Sequence, residues 1–188
     1  MRILPRAAGL LLTVVAALLL SGCIPPGSTV TPEPMPSSTP VFASEEEALS
    51  AAEAAYREYL AVSDAITADA GANPERIQAL IAPDQLEEQL AVFEPYSERN
   101  LRTEGSTTFD SAELQQYVEG QDGEAAVDFY VCLDVSGVRV FDATGADVTP
   151  SQRPSRLPLE IGYVVSAGAS PRIVLVRSES WTGDDFCG

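Results

Sequence analysis

The sequence predicts an α+β fold for residues 45–188: N-terminal helices packed on a curved antiparallel sheet, after a signal segment and a linker. Three observations lead there. Apolar residues recur every three or four positions from Leu49 to about Phe93, the period of helices with one buried stripe. After Arg99 that period gives way to alternation, clearest in AAVDFYVCLD (125–134) and LPLEIGYVV (157–165), the period of strands with one buried face. Helices and strands are therefore segregated along the chain, and segregated elements pack as helices on one face of an antiparallel sheet. The 188 residues give room for one domain of ordinary size.

The first element is a signal segment. Arg2 and Arg6 precede the apolar run AAGLLLTVVAALLL (7–20). A membrane span needs about 20 apolar residues, so this run fits a secretory signal better than a span. Ser21 and Gly22 are small, and Pro25 and Pro26 forbid continuation of a helix. LSGC (20–23) resembles a bacterial lipobox, with Leu20, Ser21 and Gly22 ahead of Cys23. The resemblance implies diacylglyceryl transfer to the Cys23 thiol, cleavage before it and a palmitate-type lipid anchor; a plain secretory signal with a chance cysteine is the alternative. Two acyl chains suffice for stable anchoring. Residues 1–22 are thus read as a lipoprotein signal peptide and 23–44 as a lipidated cysteine with a disordered linker. IPPGSTVTPEPMPSSTPVFA (24–43) carries six prolines and one charge, Glu33, so it cannot bury a core. At roughly 3.1 Å per residue it holds the domain up to about 60 Å from the bilayer. The expected location is the extracytoplasmic face of the cell membrane.

The helices follow. Ser44 and Glu47 fit a capping box, with Glu45, Glu46 and Glu47 suiting the positive end of the helix dipole. Leu49, Ala52, Tyr56, Tyr59, Ser63 and Ile66 form the expected inward face through about Ala70, and Gly71 ends the helix. Asn73-Pro74 predicts a second helix, with Asn73 as its cap, Ile77, Leu80 and Ile81 inward and Pro83 as its stop. A third is expected from Asp84 to Glu94, with Leu86, Leu90 and Phe93 inward and Pro95 as its stop.

RTEGSTTF (102–109) and ELQQYVE (113–119) read as strand, either separately or as one strand bent near Asp110-Ser111. GQDG (120–123) carries a hairpin signal. The next strand puts Val127, Phe129, Val131 and Leu133 on one face and Asp128, Tyr130, Cys132 and Asp134 on the other. VRVFD (138–142) is a short strand, and 143–156 a loop. Leu157, Leu159, Ile161, Tyr163 and Val165 share a face; AGASP (167–171) turns the chain and RIVLVRSES (172–180) returns it.

Composition excludes several functions. The net charge is −17, and cleavage after Gly22 removes Arg2 and Arg6 to leave −19. Such a surface repels phosphate backbones, which sets nucleic acid aside, and disfavours docking on anionic lipid. The chain has no histidine and no lysine. It therefore offers no Ser-His-Asp relay, imidazole ligand, Schiff base or phosphate-loop lysine. The acid clusters Glu45–Glu47, Glu87-Glu88 and Asp184-Asp185 match no calcium-loop spacing, nor does FDATGAD (141–147), so neither a metal nor a cofactor is expected. With Cys23 lipidated, Cys132 and Cys187 remain as an even pair in an oxidising compartment, which predicts a disulfide. Two free thiols are the alternative; a catalytic Cys132 lacks a neighbouring histidine or lysine to lower its pKa.

AAYREYLAVSDAI in the first helix, NPERIQALIAPDQ, CLDVSGVRVFDATGADV (132–148) and the closing GDDFC resemble the nuclear-transport-factor-2-like (cystatin-like) α+β cone. That cone occurs in envelope lipoproteins of high-GC Gram-positive bacteria. The resemblance covers residues 45–188 and rests mostly on the order of elements. It implies a cavity between sheet and helices that serves small-ligand binding, protein contacts or, in some members, catalysis. Enzymes of this fold, the ketosteroid-isomerase-like ones among them, place an acid and a tyrosine inside the cone. The matching candidates are Asp128 with Tyr130 or Tyr163, and the pocket candidates are Tyr56, Tyr59, Tyr130 and Tyr163. Tyrosines at helical spacing also serve as core, and strand aspartates also face solvent. The histidine of hydrolytic relatives is absent. Trp181 is expected to pack under the Cys187 tail, the other reading being an exposed anchor. The expected function is a non-catalytic binding or interaction module for a small apolar ligand or an envelope protein. A lyase- or isomerase-like enzyme and a purely structural envelope protein are the alternatives.

Overall fold

Ser44 opens the first helix as expected. Its backbone is extended, and its hydroxyl accepts from Glu47 N at 3.1 Å. Glu47 reaches back to Ala43 N at 2.7 Å, one residue before the Ser44 amide that a full capping box would use. This chemistry is seen in a computed structural model describing residues 40–120, 123–166 and 172–188. The LSGC stretch with Cys23, most of the linker, Gln121-Asp122 of the hairpin and the 167–171 turn lie outside the described residues. No helix among the described residues is long and apolar enough to cross a membrane.

Helix α1 runs Glu45–Ala68. Ala48, Ala52, Tyr56, Leu60, Ile66 and Thr67 are buried, whereas the expected Leu49, Tyr59 and Ser63 are half-buried. The stripe is rotated because small Ala48 and Ala52 let the helix lie close on the sheet. Gly71 ends the helix with a left-handed φ of 74° and its N–H on Ile66 O at 2.8 Å. The last turn of α1 holds no basic residue. Arg76, from the next element, supplies one: its Nη2 bonds Ala65 O at 3.1 Å, Ala72 O at 3.3 Å and Asp69 at 2.8 Å.

Two expectations for the helices are corrected. Pro74–Leu80 is a 3-10 helix, and Asn73 makes no side-chain cap bond, being itself left-handed with φ 49°. The third helix is not continuous to a stop at Pro95. It breaks into α2, Leu86–Ala91, and α3, Glu94–Arg99, with Pro95 inside the first turn of α3. A proline there costs nothing, because that N–H has no intrahelical partner in any case. Phe93 at the break is buried with Ile66, Ile77 and Ile81 in a second, smaller core, to which Leu80 and Leu90 add partial cover.

The strands are β1 Arg102–Glu104, β2 Thr108–Glu119, β3 Glu124–Asp134, β4 Arg139–Phe141, β5 Arg156–Ser166 and β6 Arg172–Ser180. Four of them form the main antiparallel sheet in the order β2-β3-β5-β6. The expected strand at 102–109 breaks at Gly105, whose φ of 98° and contact with Gly137 admit no side chain. β2 then runs on through a bulge at Ser111, φ 56°, which bends it where the sequence places a bend. β4 leaves the main sheet and pairs with β1, Thr103 opposite Val140. Arg153 fixes the preceding turn by bonding Val135 O and Val138 O, both at 2.9 Å.

Helix α1 covers one face of the main sheet. The core between them holds Tyr56 and Leu60 from α1 against Val127, Phe129, Val131, Leu159, Ile161, Tyr163, Val165 and Leu175. Val41 and Phe42, assigned by sequence to the linker, also pack on this core. Their amides bond Glu119 at 3.0 Å and the Tyr117 hydroxyl at 3.3 Å on edge strand β2. Both are apolar residues after the last linker proline, and burying them favours order.

Candidate functional site

The alternation of β3 and β5 sends the candidate residues to opposite sides of the sheet. Tyr56, Tyr59 and Tyr163 lie on the helix side. Tyr56 and Tyr163 are 1% exposed, so they are core members rather than walls of an open cavity. Tyr56 stacks on Tyr59 with centroids 5.8 Å apart and meets Phe129 edge-on at 6.4 Å; Phe129 stacks on Tyr163 at 6.4 Å. The Tyr59 hydroxyl donates to Gln89 Oε1 at 2.8 Å. The Tyr163 hydroxyl is buried and unpartnered. Burial pushes the Tyr59 phenol up to about 12 and raises Tyr56 and Tyr163 as well. For Tyr56 the Ser178 hydroxyl offsets part of the rise.

Asp128 and Tyr130 lie on the other, open face. Asp128 Oδ1 accepts from Arg177 Nη2 at 2.6 Å, and Glu160 meets the same guanidinium at 2.9 Å. Asp128 is on β3 and Arg177 on β6, each opposite Gly162 of the intervening β5. A Cβ at Gly162 would stand 2.7 Å from Asp128 Oδ1, so the ion pair lies in the space that a side chain would fill. Tyr130 packs against Trp181 at 4.6 Å and Phe186 at 5.8 Å. Its ring does not turn toward Tyr56 or Tyr163, and the partner of Asp128 is arginine, not a tyrosine hydroxyl.

Cys132 and Cys187 are bonded, with Cα atoms 5.4 Å apart. The bond ties the C-terminal tail across the open face. Gly183 lies directly on the Trp181 indole, where a Cβ would come within 2.4 Å of the ring, so Trp181 packs beneath the tail. Arg156 secures the same tail. Its Nε donates to Cys187 O at 3.1 Å while its two terminal nitrogens hold Asp110 at 2.9 and 2.7 Å, with Asp134 at 3.6 Å. The Arg156 bond, then that of Ser111, holds the Asp110 carboxyl below the usual range. For Asp134 the Ser136 bonds do so, Arg156 adding a smaller pull.

A further feature was not singled out from the sequence. Arg57, Leu60, Ala61 and Asp64 follow one another along α1 at helical spacing and form one wall of a cleft of about 280 Å³. Thr107 and Phe109, from the loop before β2 and from β2 itself, form the other. Asp64 clamps that loop, accepting from Thr107 N and Thr107 Oγ1, both at 2.7 Å. Arg57 lies over the Phe109 ring, 5.0 Å from its centroid, and pairs with Glu53 at 2.6 Å. The i, i+3, i+4, i+7 spacing was visible in the sequence, but nothing there said that residues 106–109 would fold back onto it. Among the described residues no group of three or more acids and cysteines is placed to hold a metal ion.

No protein-family model matches the chain, and no curated protein matches it. Among solved structures the intermembrane space region of the chloroplast protein ARC6 is similar to it, at 12% identity and a TM-score of 0.43. The match covers 70% of this chain and 95% of that one. A likeness of that size carries no argument about what either protein does.

Proposed function

We propose that the chain is a lipid-anchored protein of the extracytoplasmic membrane face whose α+β domain is a non-catalytic binding or interaction module. The observation that carries the module reading is the engagement of Asp128. The acid that a lyase- or isomerase-like mechanism would need is bound to Arg177 on the open face, with the sheet between it and Tyr163. A general base must reach the proton it abstracts. The open face offers features suited to contacts: Tyr130 and Trp181 braced by a disulfide, and Phe186 39% exposed beside them. Aromatic residues held rigid are common anchors of interfaces. The lipid anchor on Cys23 rests on the lipobox resemblance, and the proline-rich linker suits a tether.

Two experiments test these halves. Cys23→Ala should release the protein from membranes and abolish labelling by a palmitate analogue; retention with labelling intact would remove the anchor. A photo-crosslinking amino acid at position 186, compared with one at exposed Glu75, should give adducts only at 186. Equal or absent adducts would favour the purely structural reading, to which the ring-filled core also lends support.

A further inference from the structure

We infer that the open face of the main sheet docks a cationic, extended segment of a partner polypeptide, one with two basic side chains about four residues apart. The inference rests on reading the domain as an interaction module and names the partner class for that face. Strand pairing sets the open-face side chains in rows across the four strands. One row runs Glu113, Tyr130, Glu160, Glu179 from β2 to β6. The row beside it holds Asp128 and Arg177. Arg177 is the one base in these two rows, and a single terminal nitrogen serves Asp128 at 2.6 Å and Glu160 at 2.9 Å. Two carboxylates thus share one guanidinium. Glu113 and Glu179 are exposed and, among the described residues, enter no ion pair. On the far side of the row the tail is pinned at Cys132 and forms a wall, with Trp181 and Phe186 against Tyr130.

Charge decides the occupant. A second copy would set this acidic face of a chain of net charge −17 against its own like. Nucleic acid and anionic lipid meet the same repulsion. A cation is attracted, and the spacing of the acids sets its form. Glu113 and Glu179 stand three strand spacings apart, roughly 14 Å at about 4.8 Å each. A lone ammonium or guanidinium reaches one of them. In an extended chain, side chains four residues apart point the same way and are separated by about 13 Å. Bases at those two positions reach both acids. The residue midway between them faces the sheet too, and an apolar side chain there lies over the middle of the row, beside Tyr130.

The test is isothermal titration calorimetry at low salt on the full chain in dodecyl maltoside, with the peptide acetyl-GRTVTRG-amide as the probe. Binding should be saturable with a Kd on the order of 100 μM, and should weaken as salt is added. The same composition with its arginines adjacent reaches one acid only and should bind about 3-fold more weakly. Glu113→Gln and Glu179→Gln should each cost about 3-fold, and together about 10-fold. Both residues are exposed, so these variants should unfold no earlier than the wild type. The double variant Glu87→Gln/Glu88→Gln removes the same charge from exposed positions on α2 and should bind the peptide as the wild type does. No saturable binding, equal affinity for the adjacent-arginine peptide, or an equal loss in the Glu87/Glu88 variant would overturn the assignment. Displacement of the peptide by an equal concentration of spermidine would overturn it in favour of a free polyamine. If the peptide fails while adducts at position 186 persist, the partner class falls and the module reading stands, so the two failures are separable.

Discussion

Gly162→Ala isolates the reason for a glycine in the middle of a buried strand. Gly162 does not use a left-handed φ, so alanine can adopt its backbone. On backbone grounds alone the substitution should raise stability by about 0.5–1 kcal/mol, because glycine loses more freedom on folding. The open face argues the opposite. A Cβ would stand 2.7 Å from Asp128 Oδ1, closer than real contacts allow, and a tight 3.2 Å from Arg177 Cβ, so the ion pair must move. The side chains of Asp128 and Arg177 are 21% and 34% exposed, which limits the pair to about 1 kcal/mol after solvent screening. Combining the terms, Gly162→Ala should lower stability by up to about 0.5 kcal/mol, a shift in Tm of no more than roughly 2 °C at this size, in place of the rise that the backbone alone predicts. In an Asp128→Ala background the 2.7 Å clash is gone and only the tight approach to Arg177 Cβ remains, while Arg177 keeps Glu160 at 2.9 Å. There the same glycine substitution should be neutral or stabilising. Urea unfolding of the four chains, disulfide intact, gives the cycle directly. A Gly162→Ala loss of the same size in both backgrounds would refute the account of the ion pair lying over β5.

Three further outcomes follow from the two faces of the sheet. Reduction, or Cys187→Ser, opens a loop with a sequence separation of 55 and should cost up to about 4 kcal/mol in the chain-entropy picture, read as a lower urea midpoint. Tyr163→Phe removes a buried hydroxyl without a partner and should be neutral or stabilising by up to about 1 kcal/mol; a clear loss would mean that the hydroxyl is bonded. Asp110 and Asp134 have folded pKa values below their unfolded ones, so their contribution is fully present above about pH 3.9 and is lost as pH falls through the depressed values. Because Asp110 and Arg156 hold the tail over Trp181, tryptophan fluorescence should report tail release on acidification. Arg156→Ala should move that release to higher pH, and an unchanged profile would exclude the clasp.

How much was legible in the sequence varies by element. The 3.6-residue and two-residue periods placed α1, β3, β5 and β6 within a few positions, because those elements bury one continuous face and their pattern records it. The capping serine, the terminating glycine and the bend at Ser111 were readable for the same kind of local reason. Pairing of Cys132 with Cys187 followed from counting, given a lipidated Cys23, and is present. Pro95 was misread because a proline signals both a helix stop and a helix start, and only the burial of Phe93 ahead of it decides between them.

The sequence by itself determined the fold class, the acidity, the absence of imidazole and ammonium groups, and which side chains share a strand face. Each of these depends on residue type and local spacing alone. Only the tertiary structure decided which face the helices cover, and with it the separation of Asp128 from Tyr163. The same packing filled the interior with Tyr56, Phe129 and Tyr163, took β4 out of the main sheet, and folded residues 106–109 against Arg57 and Asp64. Those outcomes join residues 49 and 43 positions apart in the chain, as for Arg177 with Asp128 and Thr107 with Asp64, and no periodicity within one element encodes such a meeting.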